Sequence, residues 1–185
     1  MFKYVGVVLG GLLILTIVAV LVTQRVSDGP IEFLQGGSFK TGEVVEKPVD
    51  DWSFGAGKPM AFELVGFGTS RTAGYIMHAG EAYMTCDLGF MWNRLEGGST
   101  RWLANLIYLF KRWHLDALED GRALVRIEDK LYKTQFVKVD DPALEAELRA
   151  RLEVLAREHF APRELGPPPT EGPRDIWFFR MDPRT

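Results

Sequence analysis

No charged side chain occurs between Tyr4 and Val22, and this apolar run constrains the chain more than anything after it. At 1.5 Å per residue, a helix of roughly nineteen residues covers a hydrocarbon core of about 30 Å. Lys3 and Arg25 bracket the run where cations meet the two water interfaces. A secretory leader has a shorter apolar stretch, about 7–15 residues, closed by a small-x-small cleavage site. Here the exit reads Ala19-Val20-Leu21-Val22-Thr23-Gln24, with bulky residues where small ones are needed. No lipidation cysteine follows, because the sole cysteine is Cys86. Residues 1–26 are therefore predicted to be an uncleaved single-pass transmembrane anchor in the lipid bilayer. The charge bias of Lys3 against Arg25 is slight, so the default of N-terminal signal-anchors sets the expectation of an exported C-terminal domain. Gly6 and Gly10 form a G-x-x-x-G pair that would let two helices approach closely, although glycine is also common in membrane helices that do not pair.

About 160 residues follow the anchor, enough for one domain with its own core. The balance of 22 basic and 25 acidic residues gives a net charge of −3, which argues against a nucleic-acid partner. One cysteine makes no intrachain disulfide, and Cys86, beside Met84 and Thr85, reads as a small buried thiol on a strand. His78, His114 and His159 fall on three different predicted elements without ligand spacing, so no metal site is expected.

Residues 27–59 form a glycine-punctuated, β-prone stretch predicted as an extended arm or edge hairpin. Strands are expected over Met60–Val65, Ala73–His78 and Ala82–Cys86, the last two joined by a tight turn at Ala79-Gly80-Glu81. Arg122–Glu128 and Leu131–Val139 alternate as a second hairpin turning around Asp129-Lys130. One helix is strongly specified. Asp141 is its N-cap and Pro142 its first residue, Leu144, Leu148, Leu152 and Leu155 form its stripe, and Glu145–Arg149, Glu147–Arg151 and Glu153–Arg157 lie four apart on its solvated faces. A proline-rich connection over 161–174 leads to a closing strand at Asp175–Met181. Residues 101–114 are apolar nearly all round, with Trp102, Tyr108, Phe110 and Trp113 between basic ends. Two readings stand: a buried core helix, or a helix lying in the membrane interface.

The order of these pieces resembles the split β-barrel of the pyridoxamine-phosphate-oxidase-like flavin-binding proteins, in an uncharacterised branch. The resembling phrases are Gly36-Gly37-Ser38-Phe39-Lys40-Thr41-Gly42-Glu43-Val44, Asp51-Trp52-Ser53-Phe54, Gly80-Glu81-Ala82-Tyr83, Gly121-Arg122-Ala123-Leu124-Val125-Arg126-Ile127 with Lys130-Leu131-Tyr132, Val137-Lys138-Val139-Asp140-Asp141-Pro142, and Ile176-Trp177-Phe178-Phe179-Arg180-Met181-Asp182-Pro183-Arg184. Each phrase alone is unspecific; their order carries the resemblance. It implies an α+β, mainly β fold, a split β-barrel with a few helices over residues 60–185, preceded here by the transmembrane helix. It also implies a homodimer, with flavin mononucleotide (FMN) or a deazaflavin bound at the interface.

The positions that match the family's phosphate-binding residues are Ser70, Arg71 and Thr72, with Thr85 on the neighbouring hairpin strand and Lys133 as a further cation. A guanidinium forks onto phosphate oxygens and hydroxyls complete the shell. Trp102 and Asn105 would flank the isoalloxazine ring by stacking and hydrogen bonding. Flavin chemistry belongs largely to the cofactor, so no catalytic acid or base is assigned. Two functional expectations follow. One is a membrane-tethered flavin-type oxidoreductase acting on a small apolar molecule. The other is a cofactor-free accessory or assembly protein that holds a membrane-protein partner through residues 101–114.

Overall fold

The computed structural model describes residues 2–31, 35–87, 111–159 and 176–185, with the side chains of residues 2–9, Leu13, Asp87 and 156–159 left aside. Helix α1 spans Phe2–Val26, followed by strand β1 at Glu43–Val45 and a single 3-10 turn at Ser53–Gly55. Strands β2 (Met60–Leu64), β3 (Thr69–Thr72), β4 (Tyr75–His78) and β5 (Glu81–Asp87) come next. Helix α2 (Trp113–Glu119) precedes strands β6 (Arg122–Ile127) and β7 (Lys130–Lys138). Helix α3 (Pro142–His159) and strand β8 (Ile176–Pro183) complete the described chain.

The strands make one eight-stranded, mainly antiparallel sheet in the order β3-β2-β6-β7-β8-β5-β4, curled into a half-barrel. Strand β7 is the axis of the curl. Its residues 130–135 pair with β6 and its residues 134–138 with β8, while β1 runs parallel along Lys130–Tyr132 on the other edge. The arm over 27–59 is thus laid along the sheet as a parallel strand rather than folded back as a hairpin.

Residues directly opposite in a ladder share a face, so the register sorts the sheet into two sides. The inner side carries Phe62, Leu64, Met84, Cys86, Ala123, Val125, Phe136, Phe179 and Met181, all buried. Trp113 and Ala117 of α2 complete this core, with the Trp113 ring 4.9 Å from Phe62 and 5.3 Å from Phe179. From the arm, Trp52 enters the same core and donates its indole N–H to the Met181 carbonyl at 3.2 Å. On the outer side of β4, β5 and β8, Ile76, Tyr83 and Phe178 pack beneath Leu144, Leu148, Leu152 and Leu155 of α3. The predicted leucine stripe is the packing face, and Asp141 caps the helix, its carboxylate accepting from the Ala143 amide at 2.9 Å. Of the expected charge pairs Glu145–Arg149 forms, at 2.5 Å, whereas Glu147 meets His78 across the fold at 3.2 Å.

Two local expectations shift. The second hairpin turns at Glu128-Asp129, one residue earlier than expected, with Glu128 at φ 55°. Thr69–Thr72 is a strand in its own right, and β4 begins only at Tyr75. Gly74, with the Thr85 amide donating to its carbonyl at 2.8 Å, separates the two.

Helix α1 covers the predicted anchor, and nine of its described large apolar side chains, from Leu12 to Val26, are 43–65 % exposed. Within this stretch the Thr16 hydroxyl donates to the Leu12 carbonyl at 2.9 Å, the i−4 back-bond open to a threonine inside a helix. Among the described residues, no helix is long and apolar enough to cross a membrane. The expected span Tyr4–Val22 falls in part on side chains outside that set.

Candidate functional site

Strand alternation decides where the sequence-predicted phosphate residues go. Arg71 is directly opposite Phe62 and therefore lies on the inner side of the sheet. Ser70 pairs with Glu63 on the outer side, fully buried beneath the arm, and donates to the Gly37 carbonyl at 2.6 Å. The Ser70 backbone is bonded in both directions to Gly36, so its polar groups are used in holding the arm down. Thr72 shares the outer side and is exposed.

Thr85 pairs with Phe178 on the outer side of β5, and its hydroxyl donates to the Gly74 carbonyl at 2.9 Å. Lys133 pairs with Leu124 on the outer side of β7 and is bonded to Glu46 at 2.6 Å. Arg71 thus stands alone of the five on the inner side. The four others lie on the opposite surface, because neighbouring residues of a strand face opposite ways. Trp102 and Asn105 lie outside the described residues.

What surrounds Arg71 comes from the arm, through Gln35, and from α2, through His114 and Asp116, with Trp177 of β8 beyond His114. Helix α2 is short, and its buried residues Trp113, His114 and Ala117 occupy one face, which sets it into the mouth of the half-barrel. His114 meets the Trp177 ring edge-on at 5.0 Å, and Lys138 lies 5.2 Å above the same ring. Trp177 is in turn directly opposite Cys86 on the inner side. Of the aromatic segment 101–114, the described end is therefore core, with Trp113 and His114 buried; residues 101–110 lie outside the described set.

The electrostatics of this mouth follow from burial. Burial pushes the Arg71 guanidinium below its ordinary value, opposed chiefly by the Asp116 carboxylate. The guanidinium also donates to the Gln35 side-chain oxygen. His114 is pushed down to about 4, first by burial and then by the nearby cations Lys111 and Arg71, so the imidazole is neutral at pH 7. Burial raises the Asp116 carboxyl, with Arg112 and Arg71 pulling it back. The result is a half-barrel mouth where Arg71 and Asp116 lie near a neutral imidazole that meets an indole ring.

A second concavity, a groove of about 560 Å³, lies at the β6–β7 turn and is lined by Thr41, Gly42, Glu43, Arg126, Glu128, Asp129 and Lys130. Its Arg126 is engaged by Asp28 at 3.2 Å and stacked on Phe39 at 4.3 Å, so that cation serves the arm.

The sequence reading missed His114 and Asp116 as neighbours of Arg71, and Trp177 and Lys138 as the next ring and cation beyond His114. They come from three elements, and no spacing links them. The single legible signal was the buried face of α2, visible as Trp113 and Ala117 four residues apart. Comparisons with family models, with curated proteins and with solved structures returned no match.

Proposed function

We propose that this chain is a membrane-anchored split β-barrel protein that holds a flavin-type cofactor, FMN or a deazaflavin, at the mouth beside Arg71 and acts as an oxidoreductase on a small apolar molecule. The observation that carries the reading is the inner-facing Arg71, set beside the neutral His114 with Trp177 next to it. A guanidinium inside a largely apolar mouth matches a phosphate or another anionic group, and an indole matches a planar ring. The fit is partial. Ser70, Thr72 and Thr85 lie on the outer side and cannot join Arg71 around one phosphate. When bound, the cofactor supplies the hydride chemistry. The chain supplies a cation for an anionic group, a ring edge for orientation and an interior that excludes water.

The anchor belongs to the same proposal. Isolated exposed apolar residues are ordinary, but a helix apolar all round needs a covering, and lipid is the covering that fits α1. A homodimer paired through the sheets belongs to the reading by resemblance, and an exported domain by the default of N-terminal signal-anchors.

The test is the visible absorbance of the full chain purified in detergent, followed by titration with FMN and with reduced deazaflavin. Saturable binding of one of them is expected, weakened at least tenfold by Arg71→Ala, the scale of one lost charge-assisted contact. Absence of any chromophore together with no saturable binding overturns the enzyme reading. A second reading then stands, a cofactor-free accessory protein with a membrane-protein partner. It is favoured by how fully Trp52, Phe62, Trp113, Phe136 and Phe179 fill the described interior. Its mark would be one stoichiometric membrane protein that co-purifies.

A further inference from the structure

Helix α1 is joined to the half-barrel without slack. Ser27 donates to the Gln24 carbonyl at 3.0 Å and to the Gly29 carbonyl at 2.9 Å, and accepts from the Gly37 amide at 3.1 Å. Lys40 reaches back to the Val26 carbonyl at 2.5 Å. Asp28 accepts from the Lys40 amide at 2.6 Å and pairs with Arg126 of β6 at 3.2 Å. Gly37 sits so close to the helix end that a Cβ there would lie 2.7 Å from the Arg25 carbonyl oxygen. The end of α1 is therefore clamped to the outer side of the sheet.

The same clamp places particular residues near the helix exit. Ser38, next to Gly37, lies against Gly68 in the β2–β3 turn, and Gly66 of that turn lies against Asp120 at the end of α2. Along this path the apolar residues Val26, Val65, Leu115 and Leu118 are exposed at 60, 38, 42 and 52 %. Leu115 and Leu118 are three apart on α2 and adjoin its buried Trp113, His114 and Ala117, so the apolar face of α2 runs on past its buried edge, with Asp116 and exposed Glu119 on the remaining side. Exposed Arg112 and partly exposed Lys111 lead into this stripe, and Arg25 and Lys40 stand at the helix exit. Asp120 is neutralised by Arg122 at 2.7 Å.

We infer that the β2–β3 turn and the outer stripe of α2 form a second membrane contact, seated in the headgroup region of the bilayer that holds α1. The occupant is the lipid surface because the stripe continues from the anchor exit and because Arg25, Lys40, Lys111 and Arg112 outnumber Asp116 and exposed Glu119 around it, a basic excess that binds anionic headgroups. Rigid attachment matters here. A domain on a loose tether samples all orientations, whereas a clamped one presents the same edge to the lipid, and the mouth with Trp113 and His114 on the inner face of α2 then lies next to the membrane. An apolar substrate dissolved in the bilayer would enter from that side.

This inference rests on the anchor reading, and its test separates the two. Nitroxide labels are attached in full-length protein at Val65→Cys, Leu115→Cys, Leu118→Cys, Ile17→Cys and Val154→Cys, Cys86 being buried and out of reach. The proteins are reconstituted in phosphatidylcholine vesicles with and without phosphatidylglycerol. Relative to position 154 on α3, labels at 65, 115 and 118 are expected to shift toward oxygen and away from a water-soluble nickel chelate, more so with the anionic lipid. A label at 17 is expected deepest. If 17 lies in the acyl chains while 65, 115 and 118 match 154, the inference falls and the anchor stands. If 17 is also aqueous, both fall. Shielding of 115 and 118 from both reagents means that protein covers the stripe, and this too overturns the inference.

Discussion

Ser70 and Arg71 are adjacent in sequence, and the pleat sends them to opposite sides of the same strand. The resemblance to phosphate-binding residues makes one cluster of Ser70, Arg71 and Thr72; as strand β3 they serve two surfaces. Ser70 is an arm clamp. Replacing it with Ala leaves the Gly37 carbonyl without its buried donor and is expected to cost about 1 kcal/mol of stability, read in a denaturant melt. The same variant should bind flavin as the unmodified protein does, because its hydroxyl lies on the far side from Arg71. His114 gives a pH signature. Its folded-state pKa of about 4 lies below the ordinary value of 6.5, so between these values the unfolded chain binds the extra proton. The stability it contributes is complete above about 6.5 and is lost as pH falls toward 4. His114→Phe, which keeps a ring against Trp177, should flatten the stability-against-pH curve across that window. Below it, a further loss should come from Asp28, which the Lys40 amide, chief among its partners, holds at about 2.

At the scale of elements, the strands and helix whose periodicity is local were legible. The β6–β7 hairpin shows its alternation because one side is core, and α3 shows cap, first-residue proline and stripe within a single window. The strand β3 was hidden because Thr69–Thr72 alternates a buried hydroxyl with a half-buried guanidinium, not apolar with polar residues. Its partners are β2, one short turn away, and Gly36 of the arm, far from it in sequence. The parallel register of β1 was equally out of reach, since a three-residue strand carries no period. The seating of α3 is testable. Leu148 is fully buried between the helix and the outer side of β4, β5 and β8, and Leu148→Ala should cost about 2–5 kcal/mol, measured as a lowered urea midpoint with an unchanged slope.

For the whole molecule, an exposed apolar helix is clamped to a curled sheet, so the proposed anchor and the sheet share one joint. Full-length protein is expected to stay with the membrane pellet after alkaline carbonate and high salt, and release by either would remove the anchor from the proposal. The sequence by itself determined the elements whose cause is local: the uncharged run of Tyr4–Val22, the capped α3, the β6–β7 hairpin and the mainly β character. Each follows from spacing, charge or turn chemistry within about a dozen residues. The tertiary structure alone decided which side of the sheet each polar residue faces, which cations meet Trp177 and His114, and how α1 is tied through Asp28 to Arg126, 98 residues away. The physical reason is that a strand's pleat and a ladder's register turn neighbours apart and bring strangers together, and register is fixed only when the core closes.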